Sequence, residues 1–158
     1  MFRLTSPAFE HGGSIPSRYT GEGEDASPPL EWNGAPLETQ SYVLIVDDPD
    51  VPDPAAPRRT WVHWVVYDIP GPSNALQEGV SRRARPEGCR EGKNDSGEIG
   101  YGGPYPPIGR HRYFFKLYAL DRTLELREGH TKTEILRAMH GHVLTSAELM
   151  GTYERGAA

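Results

Sequence analysis

Asp48, His63 and His111 are the residues of this chain whose types and placement allow chemistry. Each lies at or near the end of an apolar, β-branched stretch and borders a loop rich in proline or glycine. SYVLIVDD (41–48) runs into PDVPDPAAPRR (49–59); TWVHWVVYDIP (60–70) follows; HRYFFKLYAL (111–120) comes after GYGGPYPPIGR (100–110). A histidine can donate a hydrogen bond to an oxyanion and gain charge near neutral pH. A neighbouring aspartate can hold the ring in one tautomer and favour its charged form. Glycines at 100, 102 and 103 let backbone N–H groups approach a ligand closely. Together these groups suit a phosphate or carboxylate, with Trp61 and Tyr105 as walls. Each also has a plainer reading. A lone strand histidine is usually a packed residue, Asp48 before proline is a common strand-ending turn, and Asp50 and Asp53 read as solvated or loop-capping. Asn94-Asp95-Ser96-Gly97 reads as a turn, and Arg58 and Arg59 as exposed side chains flanking the mouth.

The elements that must position these groups are mostly strands. Ser41–Asp48 is a short buried strand ended by Asp-Pro, with Tyr42, Leu44, Val46 and Asp48 on one face. Trp61–Ile69 is a second, placing Trp61, His63, Val65, Tyr67 and Ile69 together by simple alternation. His111–Leu120 is a third, with His111, Tyr113, Phe115 and Leu117 sharing a face. Shorter strands are expected within residues 2–9, near Ile15–Tyr19, around Leu30–Trp32 and near Ala84. The loop 49–59 carries four prolines and must be shaped, because proline cannot feed a central ladder. Residues 71–109 read as largely irregular, which inside a compact domain points to a functional loop. Thr131–His140 has helical spacing of Ile135, Leu136 and Met139, a Thr131/Glu134 capping box and Gly141 as a stop. The segment 142–155 fits a helix or a strand equally well by pattern.

Composition narrows the function classes. The 158 residues fit one domain. Gly 18 and Pro 15, about a fifth of the chain, favour strands and loops over a helical bundle. A net charge of −5 argues against a nucleic-acid partner. No apolar run approaches the roughly 20 residues that span a bilayer, so no integral membrane association is expected. The N-terminus lacks the pattern of a secretory signal, and a cytoplasmic location is expected. The single Cys89 excludes an internal disulfide and a multi-cysteine metal site. One aspartate and two histidines form a possible metal-ligand set, but no compact His-x-Asp or His-x-x-x-His pair anchors it; no metal and no cofactor are expected. Phosphate-loop, dinucleotide and nucleophile-elbow signatures are absent.

DPDVP (48–52), TWVHWVVYDIP (60–70), NDSGEIGYGGPYPP (94–107), GPYPPIGRHRYFFKLYAL (103–120) and the closing HVLTSAELMGTY (142–153) resemble the phosphatidylethanolamine-binding proteins, and their bacterial and archaeal Raf kinase inhibitor-like branch in particular. The resemblance covers nearly the whole chain as one domain, 1–158. It implies an antiparallel β-sandwich with Greek-key connections and one or two short helices. It also implies a strand for the last segment and a non-proline cis peptide just before Thr60. It places a pocket for phosphate-type anions or phospholipid head groups at Asp48, His63, Gly103, Pro104, His111 and Tyr113, supported by Asp50, Pro52, Trp61 and Tyr105. A homodimer and a protein partner are further implications. Ser96 and Tyr105 depart from the branch's usual aromatic and small residues. The chain ends without the C-terminal helix that covers the pocket in animal relatives, so lipid-tail burial and kinase inhibition are not carried over. The leading expectation is a non-enzymatic binding protein. Its alternatives are a hydrolase or lyase built on a His–Asp pair, and a kinase- or protease-inhibiting interaction domain.

Overall fold

A computed structural model describes residues 1–83 and 85–156. Two antiparallel sheets are stacked, and a single short helix covers the outer face of the larger one. The smaller sheet is β1 (Arg3–Thr5), β2 (Leu30–Asn33) and β5 (Ala75–Leu76). The larger is β6 (Arg90–Glu91), β4 (Arg59–Pro70), β3 (Ser41–Val51), β7 (His111–Leu120) and β8 (Val143–Tyr153), in that spatial order. After the β3–β4 hairpin the chain makes β5 and β6, then returns beside β3 as β7, a Greek-key crossing. The helix α1 (Lys132–Met139) carries the expected capping box between Thr131 and Glu134.

Alternation along the strands explains the two cores. Tyr42, Leu44, Val46, Phe115, Leu117 and Leu149 of the large sheet meet Leu4, Leu30, Trp32 and Leu76 of the small one. Val43, Ile45, Val65 and Tyr67 point the other way and are covered by Leu124, Ile135 and Met139. Leu136 is not part of that face and stays 39% exposed. Asp47, on the helix side of β3, is buried with Lys116 and Lys132 at 3.1 and 2.7 Å, which ties the start of α1 to the sheet.

Four expectations are corrected. β4 does not alternate simply: Val46 pairs with Trp64 but Asp47 pairs with Val62, so one extra residue is inserted at His63, and a second irregularity falls near Asp68. Trp64, Val66 and Ile69 therefore enter the inter-sheet core while Val65 and Tyr67 leave it. β3 does not stop at Asp48; it continues to Val51 through a third irregularity in the β3–β4 pairing, this one with its extra residue on β3 at Pro49-Asp50. The segment near Ile15–Tyr19 is a 3-10 turn at Ser17–Tyr19, with only Ser14 bridging to Thr152. Among the described residues the cis peptide is Val51–Pro52, not the bond before Thr60. The strand expected near Ala84 lies outside the described residues. β8 settles the ambiguous last segment as a strand.

Candidate functional site

Where β3, β4 and β7 reach the same end of the larger sheet, a cavity of about 360 Å³ opens. It is lined by Asp48, Trp61, His63, Gly103, Tyr105, His111 and Tyr113 from among the expected residues, and by Val51, Pro106 and Pro107, which were not anticipated. Asp50, Pro52 and Pro104 are close in sequence but do not line it. Pro52 and Pro104 act through backbone carbonyls, which accept from His111 Nε2 at 3.1 Å and Gly21 N at 2.9 Å. Asp50 is buried, not solvated. It accepts from the backbone N, Nε and Nη2 of Arg112 at 2.9, 3.0 and 2.9 Å, and the guanidinium holds its carboxyl below the usual carboxylate range.

The two histidines differ in what their nitrogens do. His111 is fully buried. Its Nδ1 lies 2.6 Å from Asp48 Oδ2, and its Nε2 lies 2.9 and 3.1 Å from the carbonyls of Ile108 and Pro52. Carbonyls only accept, so Nε2 carries a proton. Nδ1 is taken up by Asp48, so both ring nitrogens are engaged by the protein. Asp48 Oδ1 is also used, accepting from Asp50 N at 2.7 Å. His111 therefore has no lone pair or free N–H to offer a ligand. This corrects its expected role as the second anion donor.

His63 is the open one. Its Nδ1 donates to Gly102 O at 2.6 Å, and Nε2 has no protein partner among the described residues. Burial pushes its pKa below the usual 6.5, so at neutral pH the ring is uncharged, with the Nε2 lone pair available. The inserted residue in β4 is held in place from outside the ladder. Asp95 Oδ2 accepts Val62 N at 2.7 Å, Asp95 N donates to Val62 O at 2.9 Å, and Gly102 N donates to His63 O at 2.9 Å. The Asn94–Gly97 turn is thus the clamp on the bulge that aims His63. Tyr113 stands between the histidines, its ring centroid 5.2 Å from His63 and 6.4 Å from His111. Its hydroxyl is buried without a hydrogen-bond partner among the described residues, and burial raises its pKa.

The glycine amides are not free, as had been expected. Gly100 N donates to Gly92 O, Gly102 N to His63 O, and Gly103 N to Asp25 Oδ1 at 2.8 Å. Glycine is nonetheless required at 103, because a Cβ there would sit 2.4 Å from Asp25 Oδ1 and 2.5 Å from Tyr19 O. Cys89 is 2% exposed and burial pushes its thiol up to about 12, so it is not a thiolate at neutral pH. Among the described residues no three His, Cys, Asp or Glu side chains converge as a metal cage.

The depressed His63 pKa has a measurable consequence. The unfolded chain binds a proton at this residue as pH falls through about 6.5, while the native chain resists it, so this contribution to stability is present above that pH and lost below it. Urea unfolding at pH 5.5 and 7.5 is expected to show a smaller acid loss in His63→Gln than in the parent. An unchanged loss would mean that burial does not hold the ring neutral.

The fold and this cavity can now be set beside known proteins. The phosphatidylethanolamine-binding protein family matches residues 5–154. The chain belongs to that family. A UPF0098 protein of Methanothermobacter thermautotrophicus is 53% identical over 154 residues, covering 97% of this chain and 99% of the relative. The crystal structure of a phosphatidylethanolamine-binding protein homologue from Chlamydia trachomatis superposes with a TM-score of 0.88 at 45% identity, covering 98% of this chain and 97% of that one. Escherichia coli YbcL, described as a member of the mammalian family, superposes at 0.85 with 31% identity, covering 97% and 98%. The β-sandwich implied by the sequence resemblance is the fold of this phosphatidylethanolamine-binding family member, with one helix. No helix among the described residues is long and apolar enough to cross a membrane.

Proposed function

We propose that this family member is a non-enzymatic binding protein whose cavity takes a small phosphate-type ligand, free or as a lipid head group. The observation that carries the reading is His63 Nε2, which has no protein partner among the described residues and belongs to a residue lining the cavity, with the buried, unpaired Tyr113 hydroxyl on a neighbouring lining residue. A buried hydroxyl left unpaired costs roughly 1–3 kcal/mol, which a ligand oxygen would relieve. Neutral His63 can accept the O–H of a hydrogen phosphate; once protonated, the same atom donates to a phosphate oxygen. Binding an anion therefore favours the charged ring and raises the His63 pKa toward and above its usual value.

The His–Asp pair that would serve a hydrolase argues for binding instead. Asp48 orients His111, whose Nε2 is committed to two carbonyls and cannot act as a general base. His63 lacks a carboxylate on Nδ1.

Histidine-detected NMR during titration with inorganic phosphate and O-phosphoethanolamine tests the reading. The His63 ring signals are expected to move with saturation and the His63 pKa to rise, while the His111 ring keeps its protonation pattern. If His63 stays silent while signals outside the cavity respond, the cavity is not the binding site.

A further inference from the structure

The cavity lining contains no arginine or lysine, the Asp48 carboxyl is already engaged by His111 and Asp50 N, and His63 is uncharged at neutral pH. An anion entering it would have no counter-charge from the lining itself. The charge is supplied at the mouth. The Arg59 guanidinium lies 4.6 Å from the centroid of Trp61, and that of Arg155 lies 4.5 Å from the centroid of Tyr105. Both rings line the cavity. Arg155 is further fixed by donating to the carbonyls of Pro106 at 2.8 Å and Pro107 at 3.2 Å, again cavity residues. Of the other arginines near the mouth, Arg110 faces Glu154 and Arg112 is held by Asp50, while the exposed Arg58 is not among the arginines seen stacked on a cavity ring. Arg59 and Arg155 are exposed and form no ion pair among the described residues. Glu22 senses the Arg155 charge, but its Oε1 already accepts from the Tyr153 hydroxyl and Gly156 N.

We infer that Arg59 and Arg155 are the charge-reading residues of the pocket, two ring-stacked guanidiniums at its mouth that select a doubly charged phosphate monoester over a singly charged diester. This rests on the cavity being the ligand site. Stacking fixes each guanidinium plane while leaving N–H donors free. Two such forks bind the outward oxygens of a dianion as the inward one meets His63. A diester offers one charge and carries a second substituent where one fork would bind.

Calorimetric titration with O-phosphoethanolamine, a monoester, and glycerophosphoethanolamine, which has the diester chemistry of a lipid head group, separates the two sources. The parent is expected to bind the monoester more tightly, with an affinity that falls as salt is added. Arg59→Ala and Arg155→Ala are each expected to weaken monoester binding about three- to tenfold and diester binding less. Arg59→Lys, which keeps the charge but loses the planar stack, should fall between. Arg122→Ala is the control: Arg122 follows the far end of β7, about 30 Å of strand away from His111, and should bind as the parent does. Unchanged thermal unfolding of the two exposed-site variants excludes loss of the fold. If His63 responds to ligand and both alanine variants bind the monoester as the parent does, this inference is overturned and the cavity reading stands. Equal losses for monoester and diester overturn the selectivity. A parent whose His63 never responds overturns the cavity reading, and this inference with it.

Discussion

Replacing Glu91 with alanine is expected to lower the unfolding free energy by about 3–5 kcal/mol, the range for breaking a buried charged cluster by removing one member. Glu91 is 1% exposed, and its carboxylate is the meeting point of groups from two segments, β4 and the loop 81–85. Oε2 accepts from Trp64 Nε1 at 2.7 Å and Ser81 Oγ at 2.5 Å; Oε1 accepts from Arg82 N at 2.7 Å and faces Arg85 Nη1 at 3.6 Å. Arg85 in turn reaches Glu128 at 2.5 Å, whose other oxygen accepts Glu91 N at 2.8 Å. Alanine would leave the buried indole N–H without an acceptor, at a cost of roughly 1–3 kcal/mol, and would also remove the acceptor of the part-buried Ser81 hydroxyl and Arg82 amide. For a chain of this size the midpoint of thermal unfolding should drop by roughly 10 °C. Glu91→Gln keeps the shape and one acceptor oxygen and should lose less than half as much. The loss should also reach the pocket. Ser81 Oγ accepts from Tyr101 N at 2.8 Å, and the next residue, Gly102, holds both the ring and the backbone of His63. Urea unfolding that shifts by less than about 1 kcal/mol would show that these loops are held by other contacts.

Glu91 also marks where reading the sequence stops. The long strands were legible because β-branched and aromatic residues in short runs have few other stable arrangements, and α1 because its capping box and apolar spacing agree. The strands β5 and β6 are two residues each and leave no periodic trace. A buried glutamate in a two-residue strand looks like any charged surface residue until its donors, drawn from residues 64, 81, 82 and 85, are assembled. The bulge at His63 was equally hidden. The strand's apolar run is continuous, so nothing in its pattern reveals that His63 and Trp64 serve the same side of the sheet. Asp95, which clamps that bulge, sits in a stretch whose residues signal only a turn. Arg155 carries no local signal; its meaning depends on Tyr105, 50 positions earlier, standing under it.

The same limit applies to the two pocket histidines, and it yields the second large prediction. By residue type they are equivalent; their roles separate only through the backbone carbonyls beside them. His111→Ala would leave Asp48 Oδ2 and the carbonyls of Ile108 and Pro52 buried without a donor, and a buried carboxylate without its partner is the costly case. The expected loss is about 3–5 kcal/mol in urea unfolding, with Asp48→Asn losing less, since its amide retains one acceptor for the two donors now served. His63→Gln should behave in the opposite way. Glutamine can keep a donor toward Gly102 O, so stability should change by about 1 kcal/mol, while affinity for O-phosphoethanolamine should fall about tenfold or more, because the ring nitrogen that can take up a proton and donate it to the phosphate is gone. Measuring both quantities on both variants decides between a pocket with two ligand-contacting histidines and one with a single contacting histidine above a buried brace. A His111→Ala protein as stable as its parent but unable to bind would identify His111 as a direct contact and refute the brace. Lost stability there, set against lost affinity at His63, is the pattern that two filled nitrogens on one ring and one open nitrogen on the other require.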